Sequence, residues 1–593
     1  MLVRQLIFRG RSKVIILALA VCVALGALGL FYMQLARAAA VGGFLVYSNN
    51  TTTPQKREWM SGTSFEGAAA TTSSRNPYQT VTKVSPAANS IRVMGILDSG
   101  GTLQVLRSTD NGQSWVSGFT ASLGGTGTTR RFDIAFEQSS GEIVVAYSKN
   151  ATTNEIGVRR YNGSWQAEVT YNPTGTANVV TWIELAEKSG SDELAIGYVT
   201  NATSNNIGAG IWNGSTNAPG NWTASSFGTC DQTTGPNGAD KCMDVNYETN
   251  SGFPVMSWGI SSTGNTTFTM RATRWNGSSW STATINLGAN SDDGTYVDCE
   301  ANPQSTSNEI ACGSYGASVA TVQMWVISAG TLVSGTAAPN KDDTAHAASA
   351  GKSFVATTYV VSGSTVRAVV AWADLSITGG ANTDNQIDYV VFNGTSWDSV
   401  STFSKTFGDD ENLLAVANPV DSSEAMFVIS DENADLWAAK ISLSGSTLTW
   451  SNADGGSALE TSLGNIVGRA YDFAYNPAAS APTLTQSAYR WYANADNVTP
   501  GSALANESTA HTLTSLASPI RLRLQLDVSA DNLLTASQAF ALQYATSTSG
   551  PWTTTGSGGW WDSNWGARRK ITFDNSASAS NLTDFPVSIV IIQ

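Results

Sequence analysis

A unit of roughly 51 to 61 residues recurs through most of this chain, and the recurrence restricts the fold more than any other feature. The clearest copy runs from Arg131 to Thr170 and holds four short apolar runs, "FDIAF", "EIVVAYS", "IGVRRY" and "SWQAEV", split by turn residues. The same order continues from Trp182, and first-and-second-strand pairs begin at Gln79, Met243, Tyr296, Ser353 and Leu413. Four short strands per unit at this period predict an all-β chain whose repeats are blades of a β-propeller. The ends of the series complement each other. "GGFLVYS" at Gly42 reads as a second strand with no first strand before it, and "YDFAYNPAAS" at Tyr471 reads as a first strand with no second after it. Joining them makes one composite blade and gives eight blades, with seven as the alternative, and a closed ring leaves no unpaired sheet edge.

Composition agrees. Only 13% of the 593 residues are charged, and Ser, Thr, Asn and Gly are abundant, which suits short strands and tight polar turns. The formal net charge of -14 argues against a nucleic-acid partner, because phosphate contacts need a basic surface.

The turn before the fourth strand repeats as "NGQSW" at Asn111, "NGSSW" at Asn276 and "NGTSW" at Asn393, with relatives at Asn162 and Asn213. Asn-Gly tolerates positive φ at both positions and favours a type I′ hairpin turn. The residues so marked are Asp110, Asn111, Gly112 and Trp115, then Asn276, Gly277 and Trp280, then Asn393, Gly394 and Trp397. The first copy, "STDNGQSW" from Ser108 to Trp115, resembles the Asp-box of sialidase-type (BNR-like) propellers. Where that copy has Asp110, the others have Trp275, Phe392, Tyr161 and Trp212. A position that alternates between a carboxylate and an aromatic ring around a repeat does structural work, so Asp110 is read as a turn lock. The Asn-Gly-Ser/Thr triplets also match the N-glycosylation sequon, but turn chemistry explains them without a sugar.

The sialidase resemblance implies three arginines on a substrate carboxylate, a Tyr–Glu nucleophile pair and an aspartate acid/base. The Arg-Ile-Pro motif of that family is missing, and "SIRVMG" at Arg92 reads as an ordinary strand. Arg130, Arg131, Arg159, Arg160, Arg271, Arg274 and Arg367 are present without a pattern that makes three converge, so no catalytic residue carries over. His346 and His511 are the only histidines, too few for a Ser-His-Asp triad or a multi-His metal site. The carboxylates of "SDDGTYVDCE" at Ser291 and "SDENADLW" at Ser430 do not match the ligand spacing of a calcium loop, and no cofactor fingerprint is present.

Residues 1–40 hold Arg4, Arg9, Arg11 and Lys13, an uncharged run from Val14 to Met33, and an Ala-x-Ala site near Ala38. This is a signal peptide or a retained membrane anchor, and either sends the remainder across the membrane. Beyond the leader lie Cys230, Cys242, Cys299 and Cys312. All three pairings stay open, and the short spacings favour Cys230–Cys242 and Cys299–Cys312. After a propeller over 42–481, the alternation Leu522, Leu524, Leu526, Val528 marks a strand with one wet face, predicting a small β-sandwich accessory domain over 482–555. The segment 556–593, "WWDSNWGARRKITFDNSASASNLTDFPVSIVI", resembles the start of an extracellular module found with concanavalin-like lectin domains, here a truncated β module. The expected function is a non-catalytic cell-surface binding or adhesion module, for a glycan or another surface protein. The alternatives are a sialidase-like glycoside hydrolase and a structural cell-envelope spacer.

Overall fold

The first strand of each repeat lies innermost, and successive innermost strands pack side by side into a closed ring. The computed structural model describes residues 41–60, 64–124, 129–149, 155–171, 179–201, 206–214, 222–230, 241–259, 268–288, 294–316, 321–342, 355–373, 386–405, 407, 410–464, 468–477, 483–493, 501–509, 511, 520–529, 542–544, 553–555 and 585–591. The leader and His346 lie outside them. Among the described residues every regular element is a β-strand, and eight antiparallel sheets form an eight-bladed propeller. Blade 1 is the composite. Its innermost strand, Tyr471–Tyr475, pairs with Val41–Tyr47 in the register Gly43↔Tyr475 to Tyr47↔Tyr471. Blades 2 to 8 begin with innermost strands Gln79–Val84, Phe132–Phe136, Val180–Glu187, Met243–Tyr247, Gly294–Ala301, Val355–Ser362 and Asp410–Ala417.

The burial pattern explains why the inner runs are continuously apolar. Phe132–Phe136 and Ile143–Ser148 are buried at every position, because neighbouring blades cover both their faces. The outer strand Val116–Ser122 is mostly exposed. The core is consequently a series of clusters at blade interfaces. Phe119 and Tyr147 join blades 2 and 3, Tyr198 and Val158 join blades 3 and 4, and Trp59 and Val428 join blades 8 and 1. Close approach at these interfaces uses glycine: a Cβ on Gly118 would lie 2.3 Å from Trp165 Nε1 of the next blade.

Two disulfides lie within the ring. Cys230–Cys242 closes the connection between blades 4 and 5, and Cys299–Cys312 joins directly paired residues of the first two strands of blade 6. Beyond the ring, Thr483–Ala493 pairs with Ile520–Ser529, which in turn pairs with Phe585–Ile591. The segments 482–555 and 556–593 thus contribute strands to one three-stranded sheet. A hairpin of Leu542–Tyr544 and Thr553–Thr555 belongs to a separate compact unit. Among the described residues no helix is long and apolar enough to cross a membrane.

Ring closure rests on a tight contact. A Cβ on Gly43 would lie 2.6 Å from the carbonyl oxygen of Ala474. Gly43→Val is expected to cost about 1–3 kcal/mol by overpacking. Thermal denaturation of the variant should show one lowered transition for the whole ring, because no single blade can separate without opening an edge.

Candidate functional site

Acidic residues on the innermost strands meet around the ring axis, and they tie each blade to the next. The carboxylate of Asp133 accepts the Leu185 N–H of the following blade at 2.8 Å, and Asp244 accepts the Cys299 N–H at 2.6 Å. Asp298 accepts the Thr357 N–H at 2.7 Å, and Asp472 accepts the Thr82 N–H at 2.6 Å across the closing interface. An innermost strand has no lateral partner on its axial side, so its amides need such acceptors.

A cation stands three residues before three of these aspartates. Arg130 Nη2 lies 3.3 Å from Asp133 and 2.9 Å from Glu184. Lys241 Nζ reaches Asp244 at 3.0 Å, Asp298 at 2.7 Å and Glu184 at 3.4 Å, while Arg469 lies 3.7 Å from Asp472. The carbonyl groups of Arg130, Lys241 and Arg469 also accept N–H groups of the next blade, from Ile183, Val297 and Thr80. The axial role of these residues was missed from sequence, although "RRFD", "KCMD" and "RAYD" carry the signal: Arg or Lys three positions before Asp, at the start of a repeat.

The axial groups form one electrostatic system. Burial opposes charge on Lys241, but Asp244, Asp298 and Glu184 outweigh it and hold its ammonium well above the usual range. Carboxylates outnumber cations here, so burial followed by the charge of Glu184 raises Asp244 despite Lys241. Burial is also the main cause that lifts Glu187 and Asp472. Burial and the adjacent Asp298 push Glu300 up to about 7, against partial relief from Lys241 and Lys83.

The ring has two unlike ends. First-to-second and third-to-fourth strand connections, which include the Asn-Gly turns, occupy one end. Second-to-third and blade-to-blade connections start and finish at the other. The chain enters the innermost strands from that end, so Arg130, Lys241 and Arg469 mark its axial mouth.

In the turn at Ser108–Trp115, Asp110 accepts the Ser114 N–H at 2.9 Å and the hydroxyls of Ser108 and Ser114. Burial would raise its carboxyl, but these hydrogen bonds prevail and lower it. Asn111 and Gly112 both have positive φ, as a type I′ turn requires. The other copies differ from that expectation. At Asn276 and Asn393 only the following glycine has positive φ, and the Asn Oδ1 accepts two backbone N–H groups, from Ser278 and Ser279 or from Thr395 and Ser396. An Asx turn replaces the second left-handed residue. Trp275 and Phe392 then pack on Trp280 and Trp397 at ring-centroid distances of 5.5 and 5.1 Å. Trp115 lies 6.1 Å from Phe44 of the preceding blade, and Trp280 lies 5.5 Å from Phe227 of its own preceding blade.

The arginines considered for a substrate carboxylate are dispersed. Arg92 is fully buried on Glu58 and Phe44, Arg160 pairs with Glu142, and Arg274 pairs with Glu248. Arg131 donates to Gly124 and Thr129, Arg159 covers Phe119, Arg367 donates to the carbonyls of Val366 and Asn393, and Arg271 lies on the third strand of blade 5. Tyr147 does bond Glu168, but off the axis and only 2% exposed, with burial and that carboxylate making it harder to ionise. Asp431 of "SDENADLW" accepts N–H groups of Asn433, Asp435 and the Trp437 indole, which makes that segment a turn. Of "SDDGTYVDCE", 291–293 lie outside the described residues and Asp298 belongs to the axis. Among the described residues no group of three His, Cys, Asp or Glu side chains is placed to hold a metal ion.

No protein-family model and no curated protein matches this chain. Solved structures similar to it include the BP39L lectin of Burkholderia pseudomallei (12% identity, TM-score 0.42, covering 64% of this chain and 99% of that one). Others are a fucose-specific lectin of Aleuria aurantia (13%, TM-score 0.34, 65% and 97%) and a protein assigned as a 6-phosphogluconolactonase from Bacteroides fragilis (12%, TM-score 0.34, 62% and 95%). At these values the likeness carries no argument about ligand or activity.

Two outcomes follow from the axial system. Asp244→Ala strands the Cys299 amide and leaves Lys241 on Asp298 and Glu184 alone, and urea titration should show a loss of about 1–3 kcal/mol. Glu300 holds its proton in the folded ring to about pH 7, well above an unfolded glutamate, so its contribution is complete below roughly pH 4.3 and is lost as pH rises through 7. Asp110 has the opposite sign, losing its contribution as pH falls through its lowered value. The melting temperature should therefore decline from pH 5 to 8, and Glu300→Gln should flatten that decline.

Proposed function

We propose that this chain is an exported, cell-surface propeller that binds without cleaving, with a glycan or a glycan-bearing surface as its ligand. Contact is made at the end of the ring that Arg130, Lys241 and Arg469 mark. The observation that carries the reading is the use of the axial carboxylates: Asp133, Asp244, Asp298 and Asp472 each accept a backbone N–H of the next blade. A carboxylate committed in this way cannot act as a glycosidase nucleophile without loosening the ring. The two disulfides agree with an oxidising compartment. In this reading 1–40 is the leader, 42–481 the binding ring, and 482–555 and 556–593 accessory β segments beyond it.

One observation favours glycoside hydrolysis as a second reading. Burial and the charge of Asp298 raise Glu300 to about 7, so it holds a proton near neutrality, the state a general acid needs.

The two readings separate in one experiment. Purified protein is passed over a broad glycan panel that includes sialosides, and both retention and released sugar are followed. The binding reading expects retention without product, and retention that survives Glu300→Gln. Sustained turnover abolished by Glu300→Gln overturns it in favour of the hydrolase.

A further inference from the structure

Arg107 occupies a place where two other blades set an ion pair, and it has none. The third strands of blades 2, 3 and 5 each put an arginine directly opposite a second-strand valine: Arg107↔Val93, Arg160↔Val144 and Arg274↔Val255. Arg160 pairs with Glu142 at 2.9 Å and Arg274 with Glu248 at 2.7 Å. Among the described residues no carboxylate pairs with Arg107, and its buried Nε has no hydrogen-bond partner. Blade 7 has Val391 at this position, opposite Val369, so the ladder itself needs no cation.

Arg159 is the counterpart on blade 3. It lies two residues before the aromatic corner at Tyr161, where blades 4, 5 and 7 have Gly210, Thr273 and Val390. Its Nε is likewise buried without a partner, and among the described residues no carboxylate pairs with it. Arg159 lies beside the Tyr147 hydroxyl and within the field of Glu168. That carboxylate is already bonded by Lys149 Nζ at 2.9 Å and by the Tyr147 hydroxyl.

The two arginines cross the interface between blades 2 and 3 in opposite directions. The guanidinium carbon of Arg107 lies 4.5 Å from the Tyr161 ring centroid, and that of Arg159 lies 4.9 Å from the centroid of Phe119. Trp165 joins the two rings, 5.3 Å from Tyr161 and 4.9 Å from Phe119. Stacking uses the flat face of a guanidinium and leaves its in-plane N–H donors for an acceptor. Nε is closed off at both arginines, but the side chains are only half-buried, so their Nη ends are the donors that remain. Tyr161 and Trp165 are half-buried as well. A planar carboxylate matches the paired donors of a guanidinium, and an aromatic row suits the apolar face of a pyranose.

We propose that the cleft between the third strands of blades 2 and 3 binds a carboxylate-bearing sugar, a uronate residue of an acidic glycan, through Arg107 and Arg159. The carboxylate accepts from the Nη groups, and the pyranose rests along Trp165 and Tyr161. Both arginines stand where their strands run into the third-to-fourth turns, so the cleft lies at the end of the ring away from the axial mouth. It does not rest on the reading above.

The test titrates the purified full chain calorimetrically with an oligogalacturonate and with the same oligomer methyl-esterified, which keeps the rings and removes the charge. The acid should bind and raise the melting temperature of the unaltered protein, and the ester should do neither. Arg107→Gln and Arg159→Gln should each weaken binding about tenfold, the loss of one charge-assisted hydrogen bond. Arg107→Lys, which keeps the charge without the fork, should recover only part of it. Arg75→Gln removes the same charge elsewhere in blade 2 and should change nothing. Equal binding of acid and ester, or acid binding that survives both glutamine substitutions or falls equally with Arg75→Gln, overturns the proposal. Binding of a sulfated oligosaccharide in place of the uronate overturns the carboxylate assignment. The readout is the difference between acid and ester, so neutral glycans held at the axial mouth neither produce nor mask it.

Discussion

The carboxylate that an innermost strand offers to the next blade is the interaction on which this ring depends. Blades touch mainly through apolar faces, which are non-directional and by themselves set neither register nor order. The aspartate-to-amide bonds are directional and stand at the smallest radius, where a small error in blade angle moves the oxygen away from its N–H. Asp472 to Thr82 matters most in this respect, because it joins the composite blade to blade 2 and spans 390 residues of sequence. The cations at Arg130, Lys241 and Arg469 make this crowding of carboxylates tolerable by pairing with them at short range.

Much of this architecture was legible in the sequence because it is periodic. The run "FDIAF" and its relatives recur at blade spacing, and the lone second strand at Gly42 and lone first strand at Tyr471 define each other as partners. The turn conformations were less legible. Asn-Gly supports both a type I′ turn and an Asx turn, and the choice depends on whether the side-chain oxygen takes the backbone N–H groups. Asn111 leaves that task to Ser108 and Asp110, whereas Asn276 does it alone.

The axial cluster was hidden for a different reason. Each repeat supplies only one or two of its charges, and their meaning arises from closure: Lys83 in blade 2 and Glu300 in blade 6 influence each other only because the ring brings them together. Arginines that looked like candidates for a substrate carboxylate proved to be partners of Glu58, Glu142 and Glu248 inside the blades. An isolated Arg in a strand has the same sequence appearance in either role.

The composite blade also decides how the ring responds to pulling. Val41–Tyr47 and Tyr471–Tyr475 run antiparallel with Gly43 opposite Tyr475, and the Asn476 N–H bonds the Gly42 carbonyl. The chain therefore enters and leaves the ring side by side, at the end opposite the axial mouth. Tension applied between the preceding and following segments would open this strand pair like a zipper, one hydrogen bond after another. It would not shear all of them together, and the other seven blades would carry no force until it parted. The closing pair is thus the mechanical fuse of the ring.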